Sequence, residues 1–449
     1  MRLSPELAAH RFGLGARPGD IAAMGDPLKW LTAQVTSQPE PAGFADMPRA
    51  DEIIASGPDR RAIKDDPEAQ RAYAQAVREA AIKGVGVRMK SAYLTATPFF
   101  ERLVWFWSNH LAIAAQAKVI VAPFAFDYER SAIRPHVTGT FADMLLASAR
   151  HPAMLLYLDN ARSTGPGSRA GTRREQGLNE NYARELLELH TLGVGGGYTQ
   201  TDIVELAKIL TGWTVLPRDM RSGGEPAFIF APNRHEPGPK TVLGTRYEEG
   251  EEAGIQVIQA LARHPATARR IAHKFAAHFT ADTPDPGLAA HLEQVFRDTG
   301  GDLGELARAL AGHEAAWAPG LTKARDPIQF VTAAVRGIAG GSAGQLQPEA
   351  ELALLGALRT LGQVPFNPPT PQGWPDTLGA WFGPDQVVER AEWALALANR
   401  LPQQIDPAQR ADDLLGTLLS DTTRTAIARA PSPAEGLALL IASPEFMRR

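Results

Sequence analysis

From Asn179 to His190 the chain reads N-E-N-Y-A-R-E-L-L-E-L-H. Written as a helix, Leu178, Tyr182, Leu186 and Leu189 fall on one side, and Asn181, Glu185 and Glu188 share a polar edge. Two carboxylates one turn apart beside an amide could hold a divalent cation, or could divide into an acid and a base if burial moved their pKa values apart. Glu185 and Glu188 are therefore candidate catalytic residues and candidate metal ligands, with Asn181 and Arg184 beside them to position a substrate. The same stretch spaces Glu180, Arg184 and Glu188 at i, i+4 and i+8, the pattern of a surface ion-pair ladder that does no chemistry. Both readings stand.

Two histidines could complete such a site. His110 lies on the apolar face of its helix beside Asn109, where an imidazole needs a partner, either a structural hydrogen bond or a ligand. His235 stands in H-E-P-G-P-K-T, with Lys240 five residues on, in a turn with the reach and exposure that sites use. Donors on Arg184 and Lys240 suit carboxylate, phosphate or sulfate groups. Other chemistries lack their motifs. G-V-G-G-G-Y at Gly193 to Tyr198 follows a helix, whereas a phosphate loop follows a strand, so these glycines read as a helix cap and a connection. No H-E-x-x-H and no G-x-S-x-G occurs, and the absence of cysteine removes thiolate nucleophiles and thiolate metal sites.

The elements that must position these groups are helical. Asp26-Pro27, Asp66-Pro67 and Asp326-Pro327 each place a capping carboxylate before a proline that opens a helix, and Ser432, Pro433 and Glu435 form a capping-box pattern. Thr140 with Asp143 and Thr199 with Asp202 have the same spacing with Asp in place of Glu. The apolar face of Phe99, Leu103, Phe106 and His110 marks a largely buried helix, and the polar motif predicts another over Gly177 to Leu192. A-R-H-P-A at Ala149 and at Ala262, and A-S-P-E at Ala442, read as the end of one helix and the start of the next; their unequal spacing disfavours a solenoid. Within Ala227 to Tyr247, alternating Phe228 and Phe230, a Pro/Gly-rich turn and Lys240 to Leu243 predict one β-hairpin. Two loops stand out: Gly/Ser/Arg-rich Ala161 to Gln176, and Pro365 to Asp376 with five prolines and Trp374. Trp105, Trp107, Trp213, Trp374 and Trp381 read as core and loop anchors.

The expected fold is mainly α: a multi-helical globular array with one short β-hairpin insertion near residues 227–247. Residues 1–449 would form a single large helical domain with sub-lobes 1–225 and 248–449 around the hairpin. A chain with 44% hydrophobic and 21% charged residues can bury a sizeable core. With 46 Lys plus Arg against 50 Asp plus Glu, and no block of one sign, nucleic acid is not an expected partner. No apolar run reaches membrane-spanning length and the first residues carry charge where a leader needs an apolar stretch, which reads as a cytoplasmic protein.

Several phrases resemble one family throughout: R-F-G-L-G-A-R-P-G-D from Arg11, F-W-S-N-H-L from Phe106, H-P-A-M-L-L-Y-L-D-N from His151, the N-E-N-Y-A-R-E motif, G-Y-T-Q-T-D from Gly197, H-E-P-G-P-K-T from His235 and P-P-T-P-Q-G-W-P from Pro368. The chain is identified by them as resembling the bacterial domain of unknown function number 1800. The resemblance implies a helical architecture and little biochemistry. It implies a polar signature on Asn109, His110, Asn179, Glu180, Asn181, Arg184, Glu185, Glu188, Asp202, Glu205, His235 and Lys240, and a sulfatase-like protein of unknown-function family number 1501 as a partner. Where relatives often carry a histidine, this chain has Ser108, and relatives are often exported. Two functions compete. One is a hydrolase-type enzyme, metal-assisted or not, using Glu185, Glu188, His110 and His235. The other is a non-catalytic scaffold or accessory subunit whose polar motifs only fix helix geometry.

Overall fold

The computed structural model describes residues 3–57, 63–174, 177–216, 227–340, 348–401 and 404–449. The expected lobe boundary near residue 225 and the last two residues of the Ala161 to Gln176 loop lie outside them. The principal helices are α1 (Pro67–Leu94), α2 (Pro98–His110), α3 (Phe141–Arg150), α4 (Asn181–Glu185), α5 (Gln200–Leu210), α6 (Glu251–Ala262), α7 (Pro265–Phe279), α8 (Pro286–Asp298), α9 (Leu303–Gly312), α10 (Pro327–Ala339), α11 (Pro348–Thr360), α12 (Pro384–Ala398) and α13 (Pro433–Ile441). The fold is mainly α with a small β insertion, as its punctuation implies.

The predicted caps form. Asp26, Asp66 and Asp326 each accept backbone N–H bonds from the first turn behind their prolines. Thr199 and Asp202 make a complete capping box, so Asp serves in place of Glu. At both A-R-H-P-A phrases the histidine is itself the cap: His151 Nδ1 accepts from Ala153 N–H at 3.1 Å and His264 Nδ1 from Ala266 N–H at 3.1 Å.

Two elements differ from expectation. The stretch 227–247 is not one hairpin. Strand β1 (Trp213–Val215) pairs antiparallel with β2 (Phe228–Phe230), while β3 (Lys240–Val242) pairs with β4 (Thr245–Tyr247). Leu243 at φ 50° and Gly244 at φ 76° make the tight turn that closes the second pair locally. The polar helix is also shorter than Gly177 to Leu192. It starts at Asn181, whose N–H is held by Asn179 Oδ1 at 2.9 Å, and from Leu186 to His190 it widens into a π turn.

One continuous apolar core draws on residues before and after the strands, including Phe12, Phe99, Trp107, Trp213, Phe275 and Val331. Phe12 and Phe99 both lie against Phe279, with ring centroids 6.1 and 5.8 Å away, tying the first helices to α7. Among the described residues no helix is long and apolar enough to cross a membrane.

Candidate functional site

The polar helix places its residues as a partly exposed network. Arg184 reaches Glu180 at 3.3 Å, Glu188 at 3.5 Å and Gln200 at 3.0 Å, and Gln200 donates to Glu180 at 2.7 Å. Asn181 Nδ2 donates to Leu158 O at 3.4 Å. Glu185 is half-buried beside Tyr157. Burial, then the neighbouring Glu188, push the Glu185 pKa up against the pull of Arg184. The two carboxylates are thus neighbours, as the spacing implies.

The histidines go elsewhere. His110 is buried, with Nε2 on the His190 carbonyl at 3.0 Å and Nδ1 facing Lys274 Nζ at 3.0 Å. Burial, then Lys274 and Arg270, hold its pKa well below the ordinary value. His235 lies between the Thr211 carbonyl (2.9 Å), the Gly250 N–H (3.2 Å) and Lys240 Nζ (3.3 Å). The structure therefore joins His235 to Lys240, and Glu185 to Glu188 and Arg184, but no direct contact joins either histidine to the carboxylate pair among the described residues. There too, no group of three or more His, Asp or Glu side chains is arranged to hold a metal ion.

A different constellation forms beneath the proline-rich loop. A cavity of about 70 Å³ is lined by α2 (Trp105, Ser108, Asn109), α7 (His278), the start of α10 (Asp326, Gln329) and the loop (Phe366, Trp374, Asp376). The loop is clamped onto α2 because the Asn109 amide bonds both ways with Trp374, donating to its carbonyl at 2.9 Å and accepting its N–H at 2.7 Å. Gly373 permits this approach: at φ 91°, an added Cβ would sit 2.3 Å from the Asn109 carbonyl oxygen. On the floor, Arg88 Nε bonds both oxygens of Glu129 at 2.9 Å, and Ser108 donates to the same carboxylate at 2.7 Å. Four lining residues keep a buried polar atom without a partner: Arg88 (one guanidinium nitrogen), Trp105 Nε1, Gln329 Oε1 and Trp374 Nε1.

Two carboxylates meet this cavity in opposite electrical settings. Asp376 Oδ2 accepts from His278 Nδ1 at 2.7 Å, and its other oxygen lies 3.1 Å from Arg449 and 3.5 Å from Lys323. Burial raises its pKa, but His278, Arg449 and Lys323 outweigh that and hold it well below the usual carboxylate range. Arg102 Nε donates to His278 Nε2 at 2.9 Å, so that nitrogen carries a lone pair and the imidazole is neutral. Accordingly, burial lowers the His278 pKa to about 3. Asp326 caps α10, accepting the Gln329 N–H at 2.9 Å and the Gln329 amide at 2.8 Å. Here burial wins: with the charge of Asp376 adding to it, the Asp326 pKa is pushed up despite the cap and Arg102. The Asp376 side chain keeps 34% of its surface accessible and lines the cavity.

Spacing did not single out Asp326, Asp376, His278 or Arg102. Asp326 shares the Asp-Pro cap pattern of Asp26 and Asp66, which are exposed, so nothing local separates them. The usable signal was the proline-rich loop ending at Asp376, because five prolines fix a backbone at little entropic cost.

Neither the curated proteins nor the solved structures hold a significant match to the chain. A family model does match, over residues 7–448, and its description is "Protein of unknown function (DUF1800)". Nearly the whole chain is covered by that match, and the chain belongs to this family.

Proposed function

We propose that this protein is a hydrolase-type enzyme that works by proton transfer in the cleft under the proline-rich loop. The observation that carries the reading is the pair of carboxylates on one cavity with pKa values driven apart, Asp326 upward and Asp376 downward. Asp326, its pKa raised by burial, is the member of the pair assigned to give a proton to the leaving group. Asp376 stays ionised. Its two oxygens offer about four acceptor positions, of which hydrogen bonds from His278 and Arg449 take one on each oxygen, with Lys323 beside them as an ion pair at 3.5 Å. The acceptor capacity left over orients water or stabilises developing positive charge. His278 is a positioning residue, since its Nδ1–H fixes the carboxylate while Arg102 occupies its other nitrogen. The unpartnered polar atoms of Arg88, Trp105, Gln329 and Trp374 are buried within residues that line the cavity, polar capacity that the fold leaves unused. A metal-assisted hydrolysis with Glu185 and Glu188 as ligands and Asn181 and Arg184 holding the substrate would occupy a separate site on the polar helix, since none of these residues lines the cleft.

The test is a panel of chromogenic carboxylic, phosphate and sulfate esters and glycosides. Removal of a general acid costs on the order of a hundredfold or more, so Asp326→Asn should lose that much turnover. Wild-type activity should fall as pH rises through the raised Asp326 pKa. No hydrolysis of any class, or undiminished activity in Asp326→Asn, overturns the reading.

One observation favours the second reading, a scaffold or accessory subunit for a sulfatase-like protein. His110 and His235 are already bonded to backbone carbonyls, and Arg184 to Glu180, Glu188 and Gln200. Co-purification with a family-1501 protein, coupled to an inactive panel, would support it.

A further inference from the structure

A second and larger cavity, about 490 Å³, lies on the other side of the proline-rich loop. Its walls are α1 (Val77, Ala81, Val85), Val119 and Phe126 from the segment after α2, and Leu355 from α11, with Pro365 and Phe366 forming the partition shared with the polar cleft. The volume is that of a small-molecule site rather than a packing defect. Val119 is 54% exposed there, an apolar side chain left facing water. Two arginines, Arg78 from α1 and Arg359 from α11, also line the cavity. Both are exposed, and neither forms an ion pair among the described residues, whereas the buried Arg88, Arg336 and Arg449 are paired or bonded to backbone. Gln116 and Asn367 add neutral donors to the same lining. An apolar chamber that carries two unpaired guanidinium groups complements an amphiphile with an anionic head and a hydrocarbon tail.

We infer that this cavity binds a long-chain carboxylate, tail inside against Val77, Ala81, Phe126 and Leu355 and head at Arg78 and Arg359. The inference is independent of the chemistry assigned to the neighbouring cleft.

Calorimetric titration with sodium hexadecanoate below its micellar concentration tests it on the full chain. One molecule should bind per chain. Octanoate, eight methylenes shorter, should bind at least a hundredfold more weakly, since each buried methylene contributes about fourfold. Ala81→Trp fills the chamber from an α1 position that is only half-buried, and should weaken hexadecanoate at least tenfold. The double variant Arg78→Glu with Arg359→Glu changes only exposed side chains. It should weaken hexadecanoate at least tenfold while leaving hexadecanol unchanged. No binding by the wild type, equal binding by Ala81→Trp, or equal loss of acid and alcohol in the charge variant each overturns the proposal. So does a wild-type dimer that Ala81→Trp converts to monomer, because a second copy would then be the occupant.

Discussion

Replacing Asp376 by Asn removes one negative charge and almost no volume, and the structure sets the cost. Arg449 and Lys323, 0% and 1% exposed, both point at this carboxylate. Removing one partner of a buried pair costs about 3–5 kcal/mol, because the other charge is left without compensation. Two facts reduce that here: Lys323 keeps Asp282 at 2.8 Å, and a third of the Asp376 side chain reaches solvent. Allowing for that screening, we expect about 2–3 kcal/mol lost at pH 7. The pH dependence has a definite sign. The folded-state pKa of Asp376 lies below the ordinary value, so on acidification the unfolded chain takes the proton first. The stabilisation is fully present above roughly pH 4 and is lost as pH falls further, toward the folded-state value. The gap between wild type and Asp376→Asn should accordingly be constant from neutral pH to about pH 5 and close below about pH 4. Urea unfolding followed by tryptophan fluorescence across that range measures it. A variant within about 0.5 kcal/mol of wild type at pH 7, or a gap that widens in acid, refutes the account of the cleft.

Two further outcomes follow from the same physics. His10, His190 and His278 are buried and neutral, each with its pKa lowered to about 3 by desolvation first, so they stabilise the fold above the ordinary histidine value and lose that contribution as pH falls toward 3. Unfolding free energy should drop between pH 6.5 and 4.5 by up to about 1.4 kcal/mol per pH unit per histidine, and a flat profile in urea titrations would contradict it. Glu188→Gln removes one rung of the Arg184 ladder, whose members are about one-quarter to two-fifths exposed, and should cost no more than about 1 kcal/mol. A tenfold loss of bound metal or of activity in that variant would instead make the polar helix the site.

What could be read from the sequence was local. The Asp-Pro and Thr-x-x-Asp caps depend on three or four consecutive residues, and they form as written. The neighbouring carboxylates Glu185 and Glu188 were legible for the same reason. The partner of β2 was not, because Phe228–Phe230 pairs with Trp213–Val215 across a gap that alternation does not encode. Nor was the π turn after Glu185, where His110 from α2 meets the His190 carbonyl, a contact that no local window contains. The cleft was least legible of all. His278, Asp326, Asp376 and Arg449 come from four separated segments, and each looks ordinary in its own window.

The partition between the two cavities indicates why the loop is built so stiffly. Phe366 sits at φ 58°, a left-handed conformation that is costly for a bulky residue, by roughly 1–3 kcal/mol. The surroundings impose it: the Ala115 N–H holds the Phe366 carbonyl at 2.7 Å, Arg88 lies over the ring at 5.1 Å, and prolines stand on either side at 365 and 368. Held where it is, the ring separates a polar cleft containing two unlike carboxylates from an apolar chamber edged with arginine, and it touches the lining of both. Strain of this kind persists only where the surroundings over-determine it, and here they do so at a residue that lines both cavities.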